Sequence, residues 1–550
     1  MNFFKKFLLY FFIIVGSVVA IVAVILAVMY FAPGTQILNY KYLNYNQVIQ
    51  EEFTAESEIK PTDFVAIEVN TKLTQVYFMP SDKEGIVSYS HRQGLSGFVR
   101  AETSSLYVSA NVVEKSYSEE VGGTTYKTLV LNVIEPEGVM ISENNPMLTV
   151  YLPLELEVLS VNTEKGRVGF STKNNEASCI AKKFYANSTQ GGEIQIDYPK
   201  GATNYYLYTT TGDVTFNYAE VVDASIKLTT DTGKLSFVNS TQTPTLTGNL
   251  EVYSFVENKG PTIDFGNIKG NVKIAASYVS FKAQQIGAKE AQTSLAVTVD
   301  KSDMDLGSVY ARFTLASKVT KNHNNVTIKR LYYTNTTDSH ILDVGSGNVN
   351  ITDSIGNVGI DATTGNVVLA NAYDDIKVAT TTGPISVTYN SGAQLDGVDR
   401  VIEGDLTIDT ETGDVVVNNL RGALNVKVSS LKAEGKMDIH FLDMKKDTYI
   451  KAGGRNVSIG ITYVAAIQGG GIGRLLLVNG YASFGLGAGT YSTIVSGDED
   501  FIEEPKYNSE YRVGYAKSAS DTVYTQGLYD GIYGKVVIET TGKTNVNAKQ

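Results

Sequence analysis

Apolar and polar residues alternate over short runs through most of this chain, and glycine-led turns punctuate the runs. Tyr205-Tyr206-Leu207-Tyr208-Thr209 precedes one such turn and Val214-Thr215-Phe216 follows it, while Val367-Val368-Leu369 and Val415-Val416-Val417 follow others. Short β-branched and aromatic runs bounded by turn residues predict strands. The turns themselves keep a beat. Gly347-Asn348-Val349, Gly356-Asn357-Val358 and Gly365-Asn366-Val367 sit nine residues apart, and two more steps of nine lead through Asp374 to Gly383. The beat returns at Gly404-Asp405-Leu406, Gly413-Asp414-Val415 and Gly422, and the earlier turns at Gly212, Gly233, Gly248 and Gly270 lie 21, 15 and 22 apart.

Two steps of nine make one coil of eighteen, each half being a strand of about five residues and a corner of about four. Antiparallel hairpins need no constant spacing between turns, so the run of nines favours a solenoid. The expected fold is all-β: a right-handed parallel β-solenoid of about 18–22 residues per coil, after one N-terminal transmembrane helix. About fifteen to nineteen coils are expected at that length. In the corners, glycine is expected to supply a positive φ, and the Asn or Asp after it to tolerate left-handed backbone and bond locally.

Outside the beat, four regions separate. Residues 1–32 read as a membrane anchor, because Phe7 to Ala32 carries no charge and is long enough to span a bilayer. Lys5 and Lys6 precede it and place that end in the cytoplasm by the positive-inside rule. A cleaved signal peptide is the rival, with a shorter apolar core and a small-x-small site that Val28-Met29-Tyr30-Phe31-Ala32-Pro33 lacks. Residues 33–60 read as a stalk, residues 61–160 as an irregular β region (a small β-sandwich or opening coils), and residues 161–545 as solenoid repeats. Gln468-Gly469-Gly470-Gly471-Ile472-Gly473 to Gly487 is glycine-rich and apolar, fit for a corner or a close contact between coils. Lys535-Val536-Val537-Ile538-Glu539-Thr540 reads as a last strand, with a cap over the open end.

Charge narrows the partners. The chain of 550 residues has 46 basic and 58 acidic residues, net −12. The first 32 residues hold two lysines and no acid, so the rest carries 44 minus 58, or −14. That disfavours nucleic acid and anionic lipid headgroups. The single cysteine, Cys179, cannot form an internal disulfide, so stacking must hold the array.

Catalytic signatures are sparse. His91, His323, His340 and His440 show no metal-ligand spacing and read as ordinary surface histidines. Gly469 to Gly473 lacks the Lys-Ser/Thr of a phosphate loop. Asp213, Asp231, Asp361, Asp405 and Asp414 are the carboxylates a β-helix lyase or hydrolase would need. They equally suit turns, and the calcium-type Gly-Gly-x-Gly-x-Asp repeat is absent. The 34 tyrosines suit a half-buried strand wall or a stacking face for sugar rings. No catalytic, cofactor-binding or metal residue is assigned, and no cofactor is expected.

The run Leu148-Thr149-Val150-Tyr151-Leu152-Pro153, then Leu156-Glu157-Val158 and the Gly166 turn, resembles the start of the DUF4097 adhesin-type domain of bacteria. The Thr-rich turns at Gly212, Gly365 and Gly413 match its character. The resemblance spans roughly residues 148–430, more loosely to 545. It implies an exported or membrane-anchored solenoid without catalytic residues to carry over. The leading expectation is a non-enzymatic, single-pass protein of the cell membrane with its C-terminal domain extracellular. It would serve adhesin-like binding or envelope structure, its partners the membrane and a cell-surface polysaccharide or protein. The alternatives are a polysaccharide-active β-helix enzyme and an assembly or signalling subunit of a membrane complex.

Overall fold

The computed structural model describes residues 3–32 and, with short gaps between strands, 35–462. Beyond 462 it describes only the strands at 474–478, 481–486, 489–491, 521–525, 535–540 and 543–549. The chain is a β-solenoid of about 12 turns of parallel stacked coils, preceded by one apolar helix. The count falls below fifteen because residues 81–154 and the described strands beyond 462 do not add coils at the regular step. Two compact units divide the chain, Met1–Thr247 and Gly248–Gln550.

The first unit opens with the helix Phe3–Phe31. Its stretch Lys5–Phe31 has a mean hydropathy of 3.2 and is exposed over most of its length, with Met29 near its end buried; it has the length and composition of a membrane anchor or signal sequence. The residues expected to form a stalk do not. Tyr40–Tyr45 pairs antiparallel with Leu95–Arg100, which pairs in turn with Gly138–Glu143. Val48–Phe53 pairs antiparallel with Val87–Arg92. Tyr30 of the helix packs edge-on against Tyr42, and Tyr42 against Phe98, with centroids 5.0 and 5.2 Å apart. Tyr42, in the segment expected to be a stalk, is therefore part of the joint between helix and sheet.

Residues 61–160 hold the first coil and an excursion that covers its end. Ala66–Asn70 and Gln75–Pro80 make the coil, pairing in parallel with Glu155–Thr163 and Val168–Ser171. On its other side the ladders change character. The hairpin Tyr107–Ser116 with Thr125–Ile134 continues one wall, and Met147–Leu152 with Val87–Arg92 and Val48–Phe53 continues the other. At the first corner Glu135 stands where a preceding coil would be. Its buried carboxylate accepts the N–H groups of Lys72 (2.6 Å), Leu73 (2.9 Å) and Thr74 (2.6 Å) and the hydroxyl of Thr71 (3.1 Å). The walls then run on in parallel to Ser225–Thr230 and Lys234–Val238. Between them Phe170, Phe184, Tyr205 and Phe216 form a continuous aromatic core, with successive centroids 5.6, 6.0 and 5.2 Å apart.

The second unit keeps the nine-residue beat. Val349 pairs with Val367 and Val358 with Ile376, both steps of 18. Inward positions such as Val367, Leu369, Val378 and Val387 are fully buried, each worth about 1.5–3 kcal/mol by burial. The step from Ile376 to Leu406 is 30 because the hairpin Gln394–Leu395 with Val398–Asp399 is inserted. Chain order and stack order part near the end. Lys535–Thr540 and Lys543–Lys549 lie directly on the coil Thr448–Gly453 and Val457–Thr462. Arg474–Val478 and Tyr481–Leu486 lie beyond them, each with an antiparallel partner, Asp521–Thr525 and Gly489–Tyr491. The expected last strand is thus not the outermost. Gln468 to Gly473 and Gly487 lie outside the described residues.

The corner glycines work by a different cause than positive φ. Gly212, Gly233, Gly347, Gly365, Gly383, Gly404, Gly413 and Gly422 do not have left-handed backbone; of the beat glycines only Gly356 does, at φ 102°. Instead each corner lies on the one before. A Cβ on Gly365 would fall on the carbonyl of Gly347, one on Gly383 on that of Gly365, and one on Gly413 on that of Gly383. Three residues before the glycine a buried threonine turns inward and caps the corner. Gly166, Gly212, Gly233 and Gly413 donate their N–H to Thr163, Thr209, Thr230 and Thr410 at 2.8–3.0 Å.

Candidate groove on the first unit

One open groove of about 510 Å³ lies in the first unit, between the outer face of a wall and the arm formed by Tyr107–Ser116. The wall supplies two columns of side chains in register. One runs Glu68, Ser160, Tyr185, Tyr206, Lys227, and the other Asn70, Asn162, Asn187, Tyr208, Thr229. Outward side chains two positions apart on a strand share a face, so both columns open to the same side.

In the first column, Tyr185 and Tyr206 stack at 4.6 Å with an interplanar angle of 11°, and Tyr117 from the arm stacks on Tyr185 at 5.4 Å. Rings stacked parallel from coil to coil lie across the stacking direction, which leaves ring edges toward the groove, the Tyr185 phenol oxygen itself being buried. Burial pushes the Tyr117 phenol up to about 12, so it remains a neutral donor and acceptor at physiological pH. At the base Glu68, 1% exposed, pairs with Lys115 at 2.5 Å. Glu68 is buried while the Lys115 side chain is 40% exposed, so removing the lysine would leave a buried carboxylate without its partner.

The second column is a directed ladder of amides. Asn70 Nδ2 donates to Asn132 Oδ1 (2.8 Å), Asn162 Nδ2 to Asn70 Oδ1 (2.9 Å), and Asn187 Nδ2 to Asn162 Oδ1 (3.4 Å). The next coil brings Tyr208 to this position, and the Asn187 Oδ1 acceptor has no hydrogen-bond partner although it is buried. An unpaired buried acceptor costs about 1–3 kcal/mol.

The residues singled out by sequence fall elsewhere. Asp213, Asp405 and Asp414 cap corners, accepting the N–H of the next coil's Lys234 (2.9 Å), Ala423 (2.9 Å) and Lys436 (2.7 Å). Asn249, Asn325 and Asn348 do the same for Asn271, Asn348 and Asn366. Asp405 and Asp414 stand at successive corners of one coil, so they do not converge. Asp231 is a corner residue whose N–H donates to Thr210. Asp361 is no corner residue; it lies in the strand Val358–Ala362, in register with Asp343, and burial with that neighbour raises its pKa. Among the described residues no three of His, Cys, Asp and Glu gather as a metal site.

Two histidines are not on the surface. His91 occupies an inward position of Val87–Arg92, and burial lowers its pKa to about 4 against the opposing charge of Glu135. His340 is also fully buried and accepts the N–H of Phe313 on Nδ1 at 3.1 Å; burial, then Arg312, lowers it to about 3. The Tyr and Asn columns were missed as a site, yet a signal was present. Asn70, Asn162, Asn187 and Tyr208 each immediately precede the inward Thr or Ser of a corner, namely Thr71, Thr163, Ser188 and Thr209. Aligning the chain on those corners, rather than on the glycines alone, superposes the column.

No family model, curated protein or solved structure matches the chain.

Proposed function

We propose that this is a non-enzymatic β-solenoid anchored in the cell membrane and displayed outside it, serving adhesin-like binding or envelope structure. The observation that carries the reading is the direct joint between an apolar helix of membrane-spanning length and a solenoid. Tyr30, Tyr42 and Phe98 seat the helix end against the first sheet. The Lys5-Lys6 flank supports a cytoplasmic N-terminus. The engagement of Asp213, Asp405 and Asp414 as corner caps supports a structural role for the repeated carboxylates. The resemblance of residues 148–430 to DUF4097 domains adds to the same reading.

The test is topology. Intact cells are treated with an external protease, and the solenoid is followed by antibody beside a permeabilised control, with alkaline extraction of the membranes. Cleavage in intact cells together with retention in the extracted membrane is the expected result. Protection in intact cells, or release by alkali, refutes an anchored outward solenoid.

A further inference from the structure

We infer that the groove beside Tyr117, Tyr185 and Tyr206 binds an uncharged oligosaccharide laid along the direction in which the coils stack. The inference deepens the surface-display reading by giving it a site and a ligand class.

Hydrogen-bonding character comes first. The groove presents phenols, carboxamides and hydroxyls, and the phenol and hydroxyl groups each both donate and accept. Sugar hydroxyls have the same dual character, so either partner can orient to suit the other. The groups also repeat along the stack. Tyr185 and Tyr206 are 4.6 Å apart and the amide column advances at the same coil step. A chain ligand therefore meets equivalent groups at regular intervals, and several weak contacts multiply. The amide ladder runs one way and ends at an acceptor, Asn187 Oδ1, that no protein group fills. A ligand hydroxyl completes it once the lining shifts enough to open that buried oxygen.

Charge and topology argue against the other occupants. Lys115 is paired with Glu68, and Lys227 is the other lysine of the lining, within a chain of net −12. An acidic polymer gains little there. A peptide binding by strand addition needs an open sheet edge. The wall strands Glu155–Thr163, Ile180–Ser188 and Asn204–Thr209 are each paired on both sides, and the arm Tyr107–Ser116, paired on one side among the described residues, carries Glu114, a charge that discourages strand addition.

The experiment uses the full chain in lipid nanodiscs, since sugar-headed detergents would compete. Titration calorimetry is run with neutral hexasaccharides of β-linked glucose, N-acetylglucosamine, mannose and xylose, then with hexagalacturonate and a mixed-sequence decapeptide. At least one neutral sugar is expected to bind saturably. Tyr206→Ala and Asn187→Leu should each weaken it roughly tenfold, the loss of about one buried hydrogen bond. Tyr206→Phe keeps the ring stack and removes only the phenol, so it should weaken binding with an unchanged melting transition. Tyr449→Ala, in the second unit, should leave binding unchanged. The inference is overturned if no neutral sugar binds, if the acidic sugar or the peptide binds more tightly, or if Tyr206→Phe and Asn187→Leu bind as the parent does. Surface exposure is read separately by the protease experiment. A negative calorimetric result beside external cleavage therefore removes the sugar site and leaves the display reading standing.

Discussion

Gly383→Ala separates two explanations of the corner glycine that differ in sign. Where backbone φ is ordinary, replacing glycine by alanine restricts the unfolded chain and stabilises by about 0.4–1 kcal/mol. Gly383 has ordinary φ, yet an added Cβ would fall on the carbonyl of Gly365. The corner would have to lift away from the coil below. Thr381 and Thr382 donate their N–H to the Thr363 carbonyl at 3.0 and 2.9 Å, and both bonds would stretch. Two backbone bonds at about 0.5–1.5 kcal/mol each, with overpacking strain of about 1–3 kcal/mol, give a loss of about 2–6 kcal/mol. Repeat arrays open locally, so the assay is hydrogen exchange resolved over 376–390 and 404–420. A loss of 2 kcal/mol raises local opening about 30-fold. Gly85→Asn is the companion, because Gly85 has φ 68° with open space around it, where asparagine is tolerated. Exchange in Gly383→Ala equal to or slower than in the parent would sink the close-approach argument.

Acid should destabilise the fold through His91 and His340. Their folded pKa values are lowered, to about 4 and about 3, so below the unfolded value near 6.5 only the unfolded chain takes up the protons. Stability therefore falls as pH drops through 6.5 toward those values, by about 2 kcal/mol per histidine at pH 5. Urea midpoints at pH 8 and pH 5 measure it, and His340→Gln should flatten part of the dependence; an unchanged slope contradicts the assignment. Thr410→Val leaves the buried Gly413 N–H without its acceptor and should cost about 1–3 kcal/mol in urea denaturation, while Thr410→Ser recovers most of it. Glu135→Gln keeps one acceptor oxygen where two hold the first corner. Faster exchange at Lys72, Leu73 and Thr74 is expected, equivalent to about 2–4 kcal/mol, and parent-like exchange there would count against the plug.

The architecture was legible because stacking repeats the same local demand at each coil. Val349, Val358, Val367 and Ile376 announce their pairing by spacing alone. What spacing could not give was contact between distant segments. Tyr40–Tyr45 looks like linker until Leu95–Arg100 supplies its partner, and the order in which 474–486 and 535–549 stack is written in no local pattern. The corner aspartates drew notice because carboxylates suggest catalysis, whereas their acceptors meet backbone N–H groups one coil away. The groove was hidden for the opposite reason. Asn70 and Asn162 are 92 residues apart in the chain yet hydrogen-bonded, because the whole end cover is inserted between them.

A stack of parallel coils is a template, since any bare end can seed the same ladder in another molecule. Here antiparallel ladders, rather than further parallel coils, stand at the start of the first unit and at the end of the second. Val48–Phe53 carries Glu51 and Glu52 and Tyr107–Ser116 carries Glu114, charges that discourage edge pairing. At these two termini the protein's length is thus a property of its gene rather than of its concentration. Crowding many copies together would raise their density without joining them into fibres through these ends.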